Sequence, residues 1–275
     1  MNCMKNYNRT NKPLILCVSM IFLLIMLSVL VIIFSPWDMN EIVGEKYEGM
    51  SWGHLFGTDY LGRDLLVRVS VAFLVSLSIS TLAILCGLII GSVYGIIAGY
   101  FGGLAERIMV AIMDIFQCVP EILIAIFLMV VFNSVNSESV FGSISAMTVT
   151  LILVSWPFMG RVAKNETKKI KQMEYVVYSK IKGATTFHII FFHILPNLKN
   201  QLLTVMSQRI PKSLMVEALL SFIGIGIQPP FPSLGKMIND GLSVIRVAPH
   251  VILFPAIAIM IIVVIFNLIC ECLRR

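Results

Sequence analysis

Three acidic residues lie within long apolar segments of the sequence, where a charged side chain is costly and therefore usually functional. They are Asp114, Glu121 and Glu217. Asp114 and Glu121 are seven residues apart, so they would share one face of a continuous helix. Such acids either line a transport pathway, in the manner of a proton relay, or have a structural role near an interface. They are candidate pathway residues, and both roles stay open.

The sequence gives little support for catalytic, metal-binding or ATP-binding chemistry. The histidines form no HExxH motif, no GxSxG motif occurs, and no GxxxxGKS or GxxxxGKT phosphate loop is present. The six cysteines lack CxxC spacing and mostly fall in apolar runs, which favours small buried residues over disulfides or a zinc site. We therefore predict no catalytic residue, no metal site and no cofactor bound by this chain. An intramembrane enzyme is the least favoured class.

The composition predicts an integral membrane protein. The chain is 58% hydrophobic and 13% charged, with a mean hydropathy of +0.91, which exceeds what a soluble domain can bury. Its net charge of +6 does not indicate nucleic acid, because the basic residues concentrate beside apolar runs. The expected partner is the lipid bilayer of the cytoplasmic membrane.

Apolar runs predict an all-α protein with six transmembrane helices, near residues 14–34, 73–99, 104–132, 144–159, 200–227 and 251–269. The first run is too long for a signal-peptide core and no cleavage site follows it, so we expect an uncleaved span. Most lysines and arginines flank what would be the cytoplasmic ends, which places both termini inside. The chain then divides into five parts. They are a cytoplasmic tail (1–13), a first span (14–34), an outer loop (35–72), a five-helix core (73–271) that contains a cytoplasmic loop (161–198), and a second cytoplasmic tail (272–275).

The outer loop ends in GTDYLGRDLLVRV, beginning at Gly57. Thr58 or Asp59 could cap an interfacial helix there. The spacing predicts i,i+4 ion pairs between Asp59 and Arg63 and between Asp64 and Arg68.

Glycine recurs at every fourth position through the second predicted span. This spacing leaves a smooth face on which another helix can approach closely, so we predict tight helix packing. The glycines are Gly87, Gly91, Gly95, Gly99 and Gly103.

The cytoplasmic loop predicts two short helices joined at Gly183. Tyr175, Tyr178 and Ile181 would form one apolar stripe on the first helix. Gly183 would end that helix in a left-handed cap, Thr185 or Thr186 would start the second, and Pro196 would end the second. Such a pair of helices is typical of a segment that docks on another protein. The alternative is an ordinary basic loop, and both interpretations stay open.

Several motifs in order resemble the permease subunits of binding-protein-dependent ABC importers, in the peptide/nickel subgroup. They are GTDYLGRD at 57–64, GYFGG at 99–103, the loop 174–197 with GA and HILPN, EALLSFIGIGIQPPFPSLG at 217–235, and FN at 266–267. The resemblance implies the type I permease fold of ABC importers, as the C-type member of a heterodimer with a second permease. It further implies two ABC ATPase subunits, which bind ATP and Mg, and an extracytoplasmic substrate-binding protein.

In that family the cytoplasmic turn is the coupling helix, which contacts the ATPase. Carried onto this sequence, the coupling residues are Glu174, Tyr175, Val177, Tyr178, Ser179, Gly183, Ala184, Leu195 and Pro196. The sequence departs from the family's EAA signature at Val177, Tyr178 and Ser179, and it has Leu234 in place of a tryptophan. The resemblance implies transport of peptides, nickel or metallophore complexes, and the outer stretch 46–59 favours nickel or a metallophore. The alternative is an ion- or proton-coupled secondary transporter that acts without an ATPase.

Overall fold

A computed structural model describes residues 2–135 and 140–274, and its regular elements are all helical. In the described residues the only β pairing is two isolated bridges in the outer loop. A π-helical turn, Ile189–Ile194, joins α7 to α8. The α-helices are α1 Asn2–Phe34, α2 Leu65–Phe101, α3 Gly103–Cys118, α4 Glu121–Val135, α5 Val140–Lys171, α6 Glu174–Ile181, α7 Thr186–His188, α8 Leu195–Ile223, α9 Leu234–Leu242 and α10 His250–Arg274.

Four described helices are long and apolar enough to cross a membrane, namely α1, α2, α5 and α10. The pair α3 and α4 is bent by 86° at Val119–Pro120 and gives a fifth candidate if it counts as one span. The third predicted span is therefore not a continuous helix. The fifth predicted span corresponds to α8, whose cationic and acidic residues make it too polar to qualify by composition.

The longest helices form the centre of the molecule, because α2 packs along α5 more extensively than any other pair. Glycines of α2 make this possible. A Cβ on Gly91 would lie 2.5 Å from the carbonyl oxygen of Trp156, and one on Gly99 would lie 2.6 Å from that of Lys164. Gly87 and Gly95 face α5 in the same way, whereas a Cβ on Gly103 would meet nothing within 4 Å. Gly103 lies beyond the end of α2 with a positive φ of 63°, so its predicted place in the groove is wrong.

Helices α1, α8 and α10 pack around α2 to complete the main core, and α4 packs on α5 and α8 in a second apolar cluster. A third cluster lies where α2 and α5 meet the turn before α8. It includes Ile96, Ala163, Val176 and Leu198, all buried. We call it the cytoplasmic core cluster, after the side of the membrane predicted from the sequence.

The outer loop 35–64 contains no separate interfacial helix. Instead α2 begins at Leu65, capped by the carboxylate of Asp64, which accepts from the backbone N–H of Val67. Asp59 pairs with Arg63 at 2.7 Å as predicted. It also pairs with Arg68 at 3.2 Å, whereas Asp64 contacts His54 at 2.9 Å. The predicted Asp64–Arg68 pair is therefore wrong, because the loop folds back and brings Asp59 to Arg68.

The second outer loop contains α9, which begins at Ser233 as N-cap. Gly235 lies directly against the carbonyl of Ala218, so a side chain here would displace α9 from α8. Leu234 is fully buried in the main core, and it fills the position at which the family pattern has tryptophan. This loop is thus fixed on the ends of α8 and α10.

Candidate coupling site and transport pathway

The first short helix of the cytoplasmic loop, α6, ends in a glycine cap. Gly183 has a φ of +85°, and its N–H donates to the carbonyl of Lys180 at 3.0 Å. The N–H of Ala184 donates to the carbonyl of Ser179 at 3.1 Å. These two bonds form a Schellman motif, which satisfies carbonyls that the end of the helix leaves free. Gly183 therefore sets the direction in which the chain leaves α6.

The second short helix continues without interruption into α8. The Thr185 hydroxyl caps α7 by accepting from the N–H of His188 at 3.3 Å. Through the π-helical turn Leu195 donates to the carbonyl of Ile190, five residues back. Pro196 then lies in the first turn of α8, directly after the π-helical turn, and the shifted hydrogen-bond register accommodates its missing N–H. The prediction that Pro196 ends the second helix is wrong.

Helix α6 is attached to the protein body by a small set of contacts. Val176 is buried in the cytoplasmic core cluster. The hydroxyl of Ser179 lies 3.1 Å from Nε2 of His193, and the ring of Tyr175 lies 5.8 Å from that of His193. Glu174 and Val177 are exposed. Val176 was missed in the sequence because its neighbours are equally apolar and nothing in the spacing marks it as the anchor.

The predicted apolar stripe of α6 faces outward instead of packing on the protein. Tyr178 is 59% exposed and Ile181 is 78% exposed. Beyond the glycine cap, Phe187 and Phe192 are also exposed, at 68% and 67%. We call these four side chains, with Val177 and Leu195 at the margin, the cytoplasmic docking surface, after the side and the role predicted from the sequence. Its rim is basic, and the ammonium of Lys182 lies 4.6 Å above the Tyr178 ring.

The acidic residues predicted as pathway residues contact different groups. Asp114 on α3 pairs with Arg161 of α5, at a half-exposed position. Glu121 begins α4, beyond the bend, and pairs with Lys212 at 2.5 Å and Arg209 at 3.4 Å. The predicted shared face of Asp114 and Glu121 is wrong, because the 86° bend separates their helices.

Glu217 on α8 is fully buried. Its carboxylate accepts from the Ser221 hydroxyl at 3.0 Å, and the Ser76 hydroxyl of α2 lies beside it. Helix α8 therefore carries two polar regions, one at Arg209 and Lys212 and one at Glu217. A chain of contacts between Asp114, Glu121 and Glu217 is absent from the described residues.

The described residues contain no group of three or more histidine, cysteine or acidic side chains arranged to hold a metal ion. The five cysteines whose side chains are described are free thiols, at Cys17, Cys86, Cys118, Cys270 and Cys272.

Residues 91–275 match the family model of the "Binding-protein-dependent transport system inner membrane component". The chain is 36% identical over 269 residues to the oligopeptide transport system permease protein OppC of Bacillus subtilis, covering 97% of this chain and 85% of that protein. It is 36% identical over 227 residues to the glutathione transport system permease protein GsiD of Pectobacterium atrosepticum, covering 82% of this chain and 73% of the relative.

A solved structure of the MetNI methionine ABC transporter in inward-facing conformation has a similar fold. The TM-score is 0.57 at 19% sequence identity, over 76% of this chain and 97% of the other. At that identity the likeness concerns the arrangement of helices alone.

Proposed function

Because the chain belongs to the family of binding-protein-dependent transport system inner membrane components, we propose that it is one permease subunit of an ABC importer for short peptides. The family resemblance seen in the sequence motifs is confirmed. The importer function follows from the relatives, which are transport system permease proteins over nearly the whole chain. Transport without an ATPase has no support among them.

The cytoplasmic docking surface is the main observation that supports coupling to ATPase subunits. An apolar patch with an aromatic centre and a basic rim is typical of a site for another protein. It projects from a turn fixed by Gly183 and attached to the bundle by Val176. In this proposal two ATPase subunits supply the work of ATP hydrolysis, one of them by contact with Tyr178, Ser179, Gly183 and Ala184.

The proposed topology has six spans, formed by α1, α2, the bent pair α3–α4, α5, α8 and α10. Helix α8 tolerates its charges because Arg209 and Glu217 are buried within the bundle. With both termini inside, α6 and α7 lie in the cytoplasm. The outer loop and α9 lie outside, where a substrate-binding protein would deliver cargo and where a second permease would complete the pathway.

Peptides are the proposed cargo class. The two relatives described above are named for oligopeptide and glutathione transport, and glutathione is itself a short peptide. These names favour peptide over the nickel or metallophore cargo suggested by the outer stretch 46–59. The separate binding protein would select the peptide, and the permease pair would form the passage.

Uptake by the reconstituted complex tests this function. The chain is purified with its second permease and two ATPases, placed in liposomes, and supplied with binding protein and a radiolabelled tripeptide. We expect accumulation only with ATP on the ATPase side. The matched control is the same chain without ATPases. Uphill uptake by that control, driven by an ion gradient, would overturn the proposal.

A further inference from the structure

A cavity of about 310 Å³ opens at the bend between α3 and α4. Three charged side chains line it, namely Glu121, Arg209 and Lys212, and Phe116 and Phe158 form apolar walls. Phe116 belongs to α3 and Phe158 belongs to α5, so the cavity lies between α3, α4, α5 and α8. Its size falls at the lower end of the range for small-molecule sites.

The cavity lies near the middle of the helix bundle, measured along the length of α8. Arg209 is halfway along α8, about 21 Å from either end at a rise of 1.5 Å per residue. In the proposed topology this is close to the middle of the bilayer. Substrate sites of membrane transporters often lie at this depth, beside helices that are interrupted.

The charges of the cavity do not balance. Two cationic side chains share the single carboxylate of Glu121, at 2.5 Å from Lys212 and 3.4 Å from Arg209, and the group therefore carries one net positive charge. The Arg209 side chain is only 9% exposed, and its Nε has no partner among the described residues. An anion would compensate this charge and use the remaining guanidinium donors.

The opening of the cavity cannot face lipid. The Lys212 side chain is 54% exposed, and an ammonium group in hydrocarbon would be strongly disfavoured at this depth. The opening must therefore face water or the second permease. Both lie on the side of the bundle where the transport pathway would run.

From these contacts we infer that the cavity is a subsite for the C-terminal carboxylate of the transported peptide, held by Arg209 and Lys212. The inference rests on the proposed function. Every linear peptide has this carboxylate whatever its sequence, so two cations recognise the whole cargo class. The Arg209 guanidinium lies 4.2 Å above the Phe158 ring and presents a planar fork to the two oxygens, and Phe116 contacts the adjoining residue. Glu121 is the counter-ion when the subsite is empty.

Paired uptake measurements test the subsite. Liposomes with the complete complex receive either a tripeptide or the same tripeptide as its C-terminal amide, each at a concentration that saturates the binding protein. The test variant is Lys212→Gln, which removes an exposed charge. The matched control is Lys199→Gln, at an exposed position near the cytoplasmic end of α8. Lys212→Arg is the conservative variant, which keeps the charge.

We expect Lys212→Gln to lower uptake of the free tripeptide about tenfold, as the loss of one charge-assisted contact predicts. Uptake of the amide should change less than twofold, Lys212→Arg should restore uptake, and Lys199→Gln should alter neither peptide. An equal fall for both peptides would show a structural role, or pairing with an acid of the second permease, and would overturn the subsite. Unchanged uptake of both peptides would overturn it as well. If the unmodified complex transports neither peptide, the proposed function itself fails.

Discussion

Replacement of Gly183 by valine tests whether the glycine-capped turn transmits work from the ATPase. A Cβ at this position would meet nothing within 4 Å, so the cost of the substitution is conformational and not steric. A residue other than glycine at a φ of +85° costs about 1–2 kcal/mol, and a branched side chain costs more. At about 1.4 kcal/mol per factor of ten, the native turn becomes roughly tenfold to a hundredfold less populated relative to its alternatives.

The matched control is Gly183→Asn, because asparagine adopts the left-handed conformation much more readily than valine. We expect Gly183→Val to reduce ATP-dependent uptake at least tenfold and Gly183→Asn to retain most of it. Membrane insertion and thermal stability of both variants should match the parent, since Val176 and the α2–α5 contact are untouched. The assay is peptide uptake beside ATP hydrolysis stimulated by loaded binding protein, in one reconstituted complex.

Two outcomes would refute this reasoning. Uptake by Gly183→Val within twofold of the parent would show that the left-handed turn is not needed for coupling. An equal loss in the valine and asparagine variants would show that backbone strain is not the cause. A valine variant that hydrolyses ATP normally yet does not transport would locate the defect at the contact between the two subunits, as proposed.

Three other substitutions test structural parts of the argument. Gly91→Ala should destabilise the α2–α5 contact by about 1–3 kcal/mol, because its Cβ would lie 2.5 Å from a backbone oxygen, whereas Gly49→Ala, in open space, should not alter thermal unfolding. Asp59→Asn should destabilise the folded outer loop by about 3 kcal/mol, because two buried arginines lose the carboxylate that pairs with them. The measurement is faster proteolysis of the outer loop, and the control is Glu45→Gln at an exposed position. Asp114→Asn should lower uptake less than twofold, since its pair with Arg161 is half-exposed; a tenfold loss would restore the relay role.

Much of the helical architecture could be predicted because it depends on local pattern. Apolar runs mark helices long enough to span a bilayer, and the fourfold glycine spacing marks the contact of α2 with α5. The turn at Gly183 was also predictable, since a glycine after a short amphipathic segment is a common helix end. These features need only residues that are close in sequence.

The remaining features depend on contacts that are distant in sequence. The bend before Glu121 falls inside one predicted apolar span, and proline is tolerated in continuous transmembrane helices, so Pro120 alone did not reveal it. Asp59 reaches Arg68 only because the outer loop folds back, and the i,i+4 rule selected a different partner. The π-helical turn shifts the hydrogen-bond register ahead of Pro196, which removed the expected helix end. Arg209 and Lys212 were visible as charges, yet the sequence did not show that Glu121 lies beside them.

The continuity of α7, the π-helical turn and α8 has a mechanical consequence. From Thr186 to Ile223 the backbone remains helical, over about 55 Å at 1.5 Å per residue. Phe187 and Arg209 therefore belong to one hydrogen-bonded helical segment, so a movement of Phe187 would reach Arg209 through the backbone. The same helical segment would thus hold both the proposed ATPase contact and the proposed peptide subsite. Release of the peptide would then follow ATP binding and hydrolysis without any relay of side chains.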